Sequence, residues 1–345
     1  MTRIETSAAT DSGGWAGKLL RYREQSAPRG LVELATTALP FSLAWLAMWI
    51  AIHHGWYALY VLLVPLAAGL LVRLFLIQHD CGHGSFLPNK DANDWLGRVI
   101  GVLTFTPYDH WRRSHAIHHA TAGNLERRGI GDIDTLTVAE YSARSKLGRL
   151  RYRLYRHPLV MFGLGPLYTF LIENRLPFGF MRKGWMPWLS TMSTNVGIAL
   201  ASTLMIWLIG AGPFFLVHLP VMAVAATFGV WLFYVQHQFD GTHWAEAESW
   251  NAEEAALLGS SHYDLPQPLR WLTANIGVHH VHHLSSRIPF YRLQKVLRDH
   301  PELKRVSRLT LWRSFSCLRL ALWDEAQQKM VSFREARRQR AIGRA

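Results

Sequence analysis

Residues 34–72 read LATTALPFSLAWLAMWIAIHHGWYALYVLLVPLAAGLLV and contain no Asp, Glu, Lys or Arg. This length suits two membrane-spanning helices of about 20 residues each. The sequence HHG at residues 53–55 lies near the middle of the stretch and marks the expected turn. The stretch therefore predicts a helical hairpin with spans at about 34–53 and 57–78.

A second charge-free stretch covers residues 184–239. The sequence GAGP at residues 210–213 divides it into two apolar runs, which predicts further spans at about 188–209 and 214–236. Half of all residues are hydrophobic and 15 are Trp, as is typical of a membrane protein. We therefore expect an all-α integral membrane protein with four transmembrane helices in two hairpins.

The distribution of charge predicts the orientation of these helices. All 37 Lys and Arg residues, against 24 Asp and Glu, lie outside the two charge-free stretches. Because positive residues are retained on the cytoplasmic side, both termini and the long middle segment are expected in the cytosol. The protein is accordingly expected to be a multi-pass protein of the cell (inner) membrane. The two cysteines, Cys81 and Cys317, are too few for a disulfide framework and fit a reducing compartment.

The same features divide the chain into three parts. Residues 1–30 mix acidic and basic residues, which is not typical of a cleavable signal peptide, and are predicted to be a cytosolic N-terminal tail. Residues 31–300 form the predicted membrane domain. Residues 301–345 are predicted to be a basic cytosolic tail, and we interpret its arginine run as a solvated surface because nothing else indicates a nucleic-acid partner.

Three further segments lie outside the predicted spans. The apolar segments 95–106 and 158–172 are short for spanning and are predicted to be interfacial or re-entrant. The basic segment 144–156, interleaved with Leu and Tyr, fits either a helix lying on anionic head groups or a solvated helix face. The sequence leaves these two alternatives open.

Histidines gather in three clusters: HDCGH at 79–83, HAIHH at 115–119 and HHVHH at 279–283. Helical residues at i, i+3 and i+4 share one face, so each cluster can aim several imidazoles at one point. Each cluster also falls on the predicted cytosolic side. The candidate ligands are His79, His83, His115, His118, His119, His279, His282 and His283. Eight imidazoles exceed the needs of one ion, so two metal ions are expected.

The residues alone leave the metal open, since imidazole suits Fe, Zn, Cu or Ni. Zinc would be satisfied by four ligands in a closed structural site, whereas iron with open positions can bind O₂. The isolated histidines His53, His54 and His218 are interpreted as structural, because a lone His beside an apolar segment is usually a core residue.

Three segments carry a resemblance to a known family: HDCGHGSF at 79–86, WRRSHAIHH at 111–119 and NIGVHHVHHLSSRIPFY at 275–291. They resemble the three histidine boxes of membrane fatty acid desaturases, and most closely the bacterial acyl-lipid branch. The resemblance implies a cytosolic helical cap with a di-iron site bound by the eight histidines. His237, in YVQHQFD, is similar in position to an additional ligand of the family. Stearoyl-type members have an Asn four residues before that His, where this chain has Phe233.

Other polar residues near the boxes are candidates for orienting the ligands, since a metal-bound His commonly donates its distal N–H to a carboxylate or carbonyl. Asn275 is expected either to take the role of the missing Asn or to cap a helix. Asp132 is interpreted as a helix cap or surface charge. The candidate carboxylates are Asp80, Asp240, Asp134 and Asp264. The histidines left outside the pattern are His280, His110, His243 and His262.

The resemblance implies that O₂ and two electrons are used to place a cis double bond in a membrane-lipid acyl chain lying in an apolar tunnel. The electron donor is expected to be a separate carrier such as ferredoxin or flavodoxin. A hydroxylase, epoxygenase or ketolase with the same irons remains an alternative, as does a membrane haem protein. A metal transporter is disfavoured because it would need polar residues at mid-membrane. Soluble ferritin-like desaturases use Glu ligands instead.

Overall fold

The computed structural model describes residues 14–342, with side chains described as far as residue 338. The predicted tail segments 1–13 and 343–345 lie outside the described residues. Helices dominate the fold, which confirms the predicted helical class. The α-helices are α1 Trp15–Lys18, α2 Ala27–His53, α3 Tyr57–Gly82, α4 Lys90–Leu103, α5 Tyr108–Thr121, α6 Val138–Ala143, α7 Lys146–Tyr155, α8 Gly165–Leu171, α9 Met186–Ile209, α10 Ala211–His237, α11 Ala252–Leu258, α12 Leu269–Leu272, α13 His279–Leu284, α14 Phe290–Asp299, α15 Leu311–Ser314 and α16 Phe333–Ile342. The short strands are β1 Leu136–Thr137, β2 His262–Asp264, β3 Arg308–Thr310, β4 Leu322–Asp324 and β5 Lys329–Val331.

Four helices, α2, α3, α9 and α10, are long and apolar enough to cross a membrane, which confirms the two predicted hairpins. Gly55 separates α2 from α3 with a φ of 72°, and Gly210 separates α9 from α10 with a φ of 87°. A side chain with a Cβ is strained at such φ values, so glycine allows both tight reversals. The turn residues read from the sequence are therefore the turn residues of the fold.

The first hairpin begins earlier than the charge-free stretch, because α2 already starts at Ala27. Two charged residues inside this hairpin are buried: Glu33 of α2 is 5% exposed and Arg73 of α3 is 1% exposed. The two form an ion pair with each other. Arg73 also donates to the Thr37 hydroxyl at 3.0 Å and to the Trp271 carbonyl. Burial of the pair is tolerated because each charge has a partner.

Helix α3 is the central element and packs against α2, α4 and α10. Its second half, from Ala67 to Cys81, is almost entirely buried. Helix α9, in contrast, is largely exposed: large apolar side chains such as Leu200 (67% exposed) and Trp207 (79% exposed) face outward. Exposed apolar surface of this extent is what a lipid-facing helix requires.

The segment predicted to be a basic cytosolic C-terminal tail, residues 301–345, is packed into the fold over its described residues. Strand β3 pairs in parallel with β2, and β4 pairs with both β1 and β5. Leu303 and Trp323 are 1% and 0% exposed. The Tyr234 hydroxyl, at the end of α10, donates to the Cys317 carbonyl at 2.6 Å. The strands are only two or three residues long, too short to show an alternating pattern in the sequence.

The described part of the N-terminal segment is also packed rather than free. Leu19 and Tyr22 are at most 1% exposed and belong to the main core. The Tyr22 hydroxyl donates to the Asp299 carboxylate of α14 at 2.8 Å. The folded domain therefore extends beyond both ends of the predicted range 31–300.

Apolar side chains are exposed on both segments predicted to be interfacial or re-entrant and also on the basic segment 144–156. Segment 95–106 exposes Trp95 (66%) and Val99 (60%). Helix α7 exposes Leu147, Leu150 and Leu154, which follow one another at helical spacing. Segment 158–172 exposes Leu159 (75%) and Leu164 (67%). These faces suit a membrane surface, and their contact with lipid stays a prediction.

Candidate metal centre

The three histidine clusters meet at the ends of four helices. His79 lies in the last turn of α3 and His83 follows that helix directly. The second cluster lies in the last two turns of α5, and the third forms most of α13. His237 is the last residue of α10. The nine imidazoles form two groups, a first histidine group of five and a second histidine group of four. Within each group, one nitrogen of each ring lies within 4.8 Å of one nitrogen of every other ring. The first group is His79, His83, His115, His119 and His282; the second is His118, His237, His279 and His283.

Each group draws on several segments of the chain. In the first group, His119 Nε2 lies 3.1 Å from His115 Nε2 and 3.1 Å from His282 Nε2. In the second group, His237 Nε2 lies 3.1 Å from His118 Nε2 and 2.9 Å from His279 Nε2. The Nε2 atoms therefore converge on a common point within each group.

The nitrogen spacing fits a metal ion better than a hydrogen-bond network. Imidazole nitrogens bind first-row metals at about 2.0–2.1 Å, which puts ligand nitrogens at right angles roughly 3 Å apart. His83 Nε2 is buried in the first group and has no hydrogen-bond partner among the described residues. A buried nitrogen normally has a partner, so its orphaned state fits a ligand atom.

The protonation states also fit metal binding. Burial, and secondarily the neighbouring histidines, lower the pKa values of His115, His119, His282 and His283 well below the ordinary value. Neutral imidazole is the form that binds metal. The pKa of His279 is lowered in the same way by burial and by the adjacent His237.

The distal nitrogens of His118 and His237 lie near acceptor oxygens. His118 Nδ1 lies 2.5 Å from Asp132 Oδ1, and His237 Nδ1 lies 3.3 Å from the Gly259 carbonyl oxygen. Burial alone would raise the pKa of Asp132, but the hydrogen bond with His118 lowers it below its usual value. The interpretation of Asp132 as a cap or surface charge is therefore wrong. No pattern in the sequence indicates that the Gly259 carbonyl is a partner of His237.

Asp80 connects the first box with the segment that follows the third. Its Oδ1 lies 3.1 Å from His79 Nδ1, and its Oδ2 accepts the Phe290 backbone N–H at 2.7 Å. This geometry suits the predicted role in orienting His79.

The other predicted orienting residues lie elsewhere. Asn275 has a φ of 56° and donates from its side chain to the Phe290 carbonyl at 3.3 Å, so it shapes the turn before α13. Asp240 is exposed beyond the end of α10. His280 belongs to neither group, because its Nε2 lies 3.0 Å from the Leu303 carbonyl.

A buried tyrosine fixes the second box against the first. The Tyr108 hydroxyl lies 2.9 Å from both the Cys81 carbonyl, between His79 and His83, and the Asp94 carboxylate. Burial and Asp94 raise the pKa of Tyr108, so it stays a donor. The ring fits because residue 97 is glycine: a Cβ there would lie 2.3 Å from the Tyr108 ring.

An apolar cavity of about 330 Å³ leads to the histidines. Half of its lining residues belong to α3 and α10, and His79, His115 and His279 are among the residues that line it. Gly229 of α10 also lines it, and a Cβ added there would meet nothing within 4 Å. The cavity has the lining and the position to hold an alkyl chain against both histidine groups.

Fold and site together define a multi-pass membrane protein with a buried histidine-rich site that can hold metal ions. Comparison with known proteins narrows this class. The family described as "Fatty acid desaturase" matches residues 55–314, and the chain belongs to that family. It is accordingly an oxidoreductase that desaturates fatty acyl chains.

Individual relatives agree with this placement. A protein named fatty acid desaturase from Bacillus subtilis is 44% identical over 315 residues, covering 91% of this chain and 88% of the relative. A Synechocystis protein named sn-1 acyl-lipid omega-3 desaturase (ferredoxin) is 29% identical over 262 residues, covering 70% and 68%. A second Synechocystis protein, named sn-1 oleoyl-lipid 12-desaturase, is 28% identical over 281 residues, covering 80% and 76%.

Proposed function

We propose that this desaturase uses two iron ions and O₂ to introduce a cis double bond into an acyl chain of a membrane lipid. The observation that carries the proposal is the convergence of nine imidazoles in two adjacent groups beside an apolar cavity. Two groups of neutral imidazoles suit two ions of a first-row metal. The irons would supply the O₂-dependent oxidation that removes two hydrogen atoms from neighbouring methylenes.

The atoms and electrons of the reaction balance with one external electron source. One O₂, two electrons and two protons are consumed, the acyl chain loses two hydrogen atoms, and two molecules of water form. Cavity walls from α3 and α10 would hold the chain in one register and exclude water from the oxidant. Asp132 and Asp80 would hold His118 and His79 in the orientation that directs Nε2 into the site.

The proposed substrate is an acyl group of a membrane lipid, and the proposed electron donor is a separate carrier. Two of the relatives are named for acyl-lipid and oleoyl-lipid substrates, and one is named for ferredoxin. A cavity built between spanning helices suits a chain that enters from the lipid phase. A ferredoxin or flavodoxin fits the net charge of +13, because such carriers are acidic.

We further propose that the protein lies in the cell membrane with both termini and the histidines in the cytosol. The absence of Lys and Arg from both hairpin turns supports this orientation. Reporter fusions at residues 55 and 212 are expected to report the outside, and fusions at residues 89 and 145 the inside. A fusion at residue 89 that reports the outside would contradict the proposed orientation.

The direct test is the fatty acid profile of a lipid-producing host that expresses the chain together with a reduced ferredoxin. New alkenes are expected in membrane lipids with the wild-type protein and not with His279→Ala, which removes one imidazole of the second group. His243→Ala is the matched control, because that imidazole lies outside both groups. Hydroxylated chains without new alkenes would reject the proposed reaction while leaving the metal assignment intact.

A further inference from the structure

A basic pocket lies on the same side of the molecule as the histidine groups but apart from the apolar cavity. It has a volume of about 340 Å³ and is lined by four cationic side chains against one carboxylate. The cationic residues are Arg270, Lys304, Arg305 and Arg308. The other polar residues of the lining are Asp264, His262 and Gln294.

The arrangement of the charges is partly fixed. Asp264 binds Arg270 at 3.1 Å and Arg308 at 2.7 Å, so one carboxylate holds two guanidinium groups at the pocket edge. Lys304 and Arg305 are exposed, and neither forms an ion pair within the described part of the chain. The pocket therefore presents a net positive charge to a partner.

The wall of this pocket is packed directly against the third histidine box. The His262 ring centroid lies 5.5 Å from that of His280, which is fully buried and adjacent in sequence to His279. The Tyr263 backbone N–H donates to the Gly277 carbonyl at 2.7 Å, two residues before the box. This approach requires glycine, since a Cβ at residue 277 would lie 2.3 Å from the Tyr263 carbonyl oxygen. Continuous packing thus joins the pocket wall to the second histidine group.

The composition of the pocket favours a protein partner over a lipid surface. Its one aliphatic lining residue, Leu297, is 3% exposed. Helix α7 differs, because its cations are interleaved with the exposed Leu147, Leu150 and Leu154. Basic residues with exposed leucines suit the head-group region, whereas a pocket lined by cations without an exposed apolar side chain among them suits an acidic protein. The exposed Leu269 and Trp271, which flank Arg270, do not line the pocket.

We propose that this basic pocket is the docking surface for an acidic one-electron carrier protein, and that electrons enter the site past His262 and His280. The inference rests on the proposed function, because it assumes that two electrons per double bond come from outside. Each docking event oxidises one carrier by one electron, so two events serve each turnover.

The test measures binding of an oxidised [2Fe–2S] ferredoxin of net negative charge to the full-length protein in discs of neutral lipid. Replacing Lys304 and Arg305 together by Gln is expected to raise the Kd about tenfold at low salt, and less as salt screens the charges. The matched control replaces two exposed cations of α7, Lys146 and Arg151, by Gln. It is expected to change the Kd by no more than about twofold.

The position of His262 gives a second readout. His262→Leu keeps all four cations but removes the contact of His262 Nδ1 with the Lys304 carbonyl oxygen at 2.8 Å. Carrier binding is therefore expected to change by no more than about twofold, while electron delivery from reduced ferredoxin becomes slower. Reduction of the same variant by dithionite is expected to match the wild type, because it needs no docking. Equal slowing with both reductants would overturn the entry route.

Three outcomes separate the docking surface from its alternatives. If the Lys304 and Arg305 replacements leave ferredoxin binding unaffected, the proposed docking surface is wrong. It is also wrong if these replacements weaken only the binding of the protein to vesicles of anionic lipid. Pocket-dependent ferredoxin binding by a protein that forms no alkene after dithionite reduction would support the docking surface and reject the proposed function.

Discussion

At the scale of single residues, the site depends on which nitrogen of each imidazole faces inward. Asp132 and Asp134 both lie in the sequence GDIDT at residues 131–135. Asp132 Oδ1 lies 2.5 Å from His118 Nδ1, whereas Asp134 contacts no histidine of the described residues. Asp134 is exposed and is held through its backbone. Replacing each of these two aspartates in turn therefore separates the effect of a carboxylate that orients His118 from the effect of a negative charge near the site.

Asp132→Asn is expected to lower metal affinity about 10- to 100-fold, because an amide cannot accept the His118 N–H as strongly as a carboxylate. Metal content after dialysis against a graded chelator measures the change. Asp134→Asn, which removes the same charge two residues away, is expected to behave like the wild type. Equal losses in the two variants would show that charge, rather than the contact with His118, matters.

At the scale of elements, the buried ion pair of Glu33 and Arg73 sets the position of α3, the helix that ends in the first histidine box. Arg73 also reaches the Trp271 carbonyl, four residues before Asn275 and the turn into the third box. One guanidinium thus connects α2, α3 and the segment leading to α13.

Glu33→Gln is expected to destabilise the protein by about 3–5 kcal/mol, because it leaves the Arg73 charge buried without a counter-charge. Thermal unfolding in detergent, followed by loss of the monodisperse peak, measures the effect. Arg29→Gln removes the exposed partner of the same carboxylate and is expected to cost no more than about 1 kcal/mol. Comparable unfolding temperatures for the two variants would contradict the structural role of the buried pair.

Helix α10 supplies the wall of the apolar cavity at Gly229, where added atoms would meet open space. Gly229→Leu is therefore expected to fill part of the cavity without disturbing the packing of the helix. Activity on long acyl chains should fall and the product profile should shift toward shorter chains, as chromatography of the lipids would show. Gly212→Leu, also in open space but at the outer turn, is the control and should leave the profile unchanged. An unchanged profile for Gly229→Leu would mean that the cavity does not hold the substrate.

At the scale of the whole molecule, the cap joins segments that are far apart in the sequence. The spans and the histidine faces were predictable because charge gaps and i, i+3, i+4 spacing are local signals. The division of the histidines between the two groups was not predictable. His118 and His119 belong to different groups, as do His282 and His283. Neighbouring ligands of one helix point to two centres, and only the assembled helices decide which one each ring joins.

Contacts between distant parts of the chain also explain why the packing of the C-terminal segment and the role of Asp132 are not predictable from the sequence. The arginine run near the C-terminus indicates a solvated tail, whereas β3 and β4 pair with strands from elsewhere in the chain. The contact between Asp132 and His118 depends on the path of the loop after α5. The spacing of residues in the sequence does not predict that path. Long-range pairing of short elements leaves little trace in a single sequence.

The metal content of the purified protein tests the central claim most directly. Two histidine groups built from nine imidazoles predict close to two iron ions per chain by elemental analysis, with little zinc. His119→Ala and His279→Ala, one from each group, should each reduce that content. Stoichiometric zinc in an active protein that resists iron chelation would contradict the di-iron assignment.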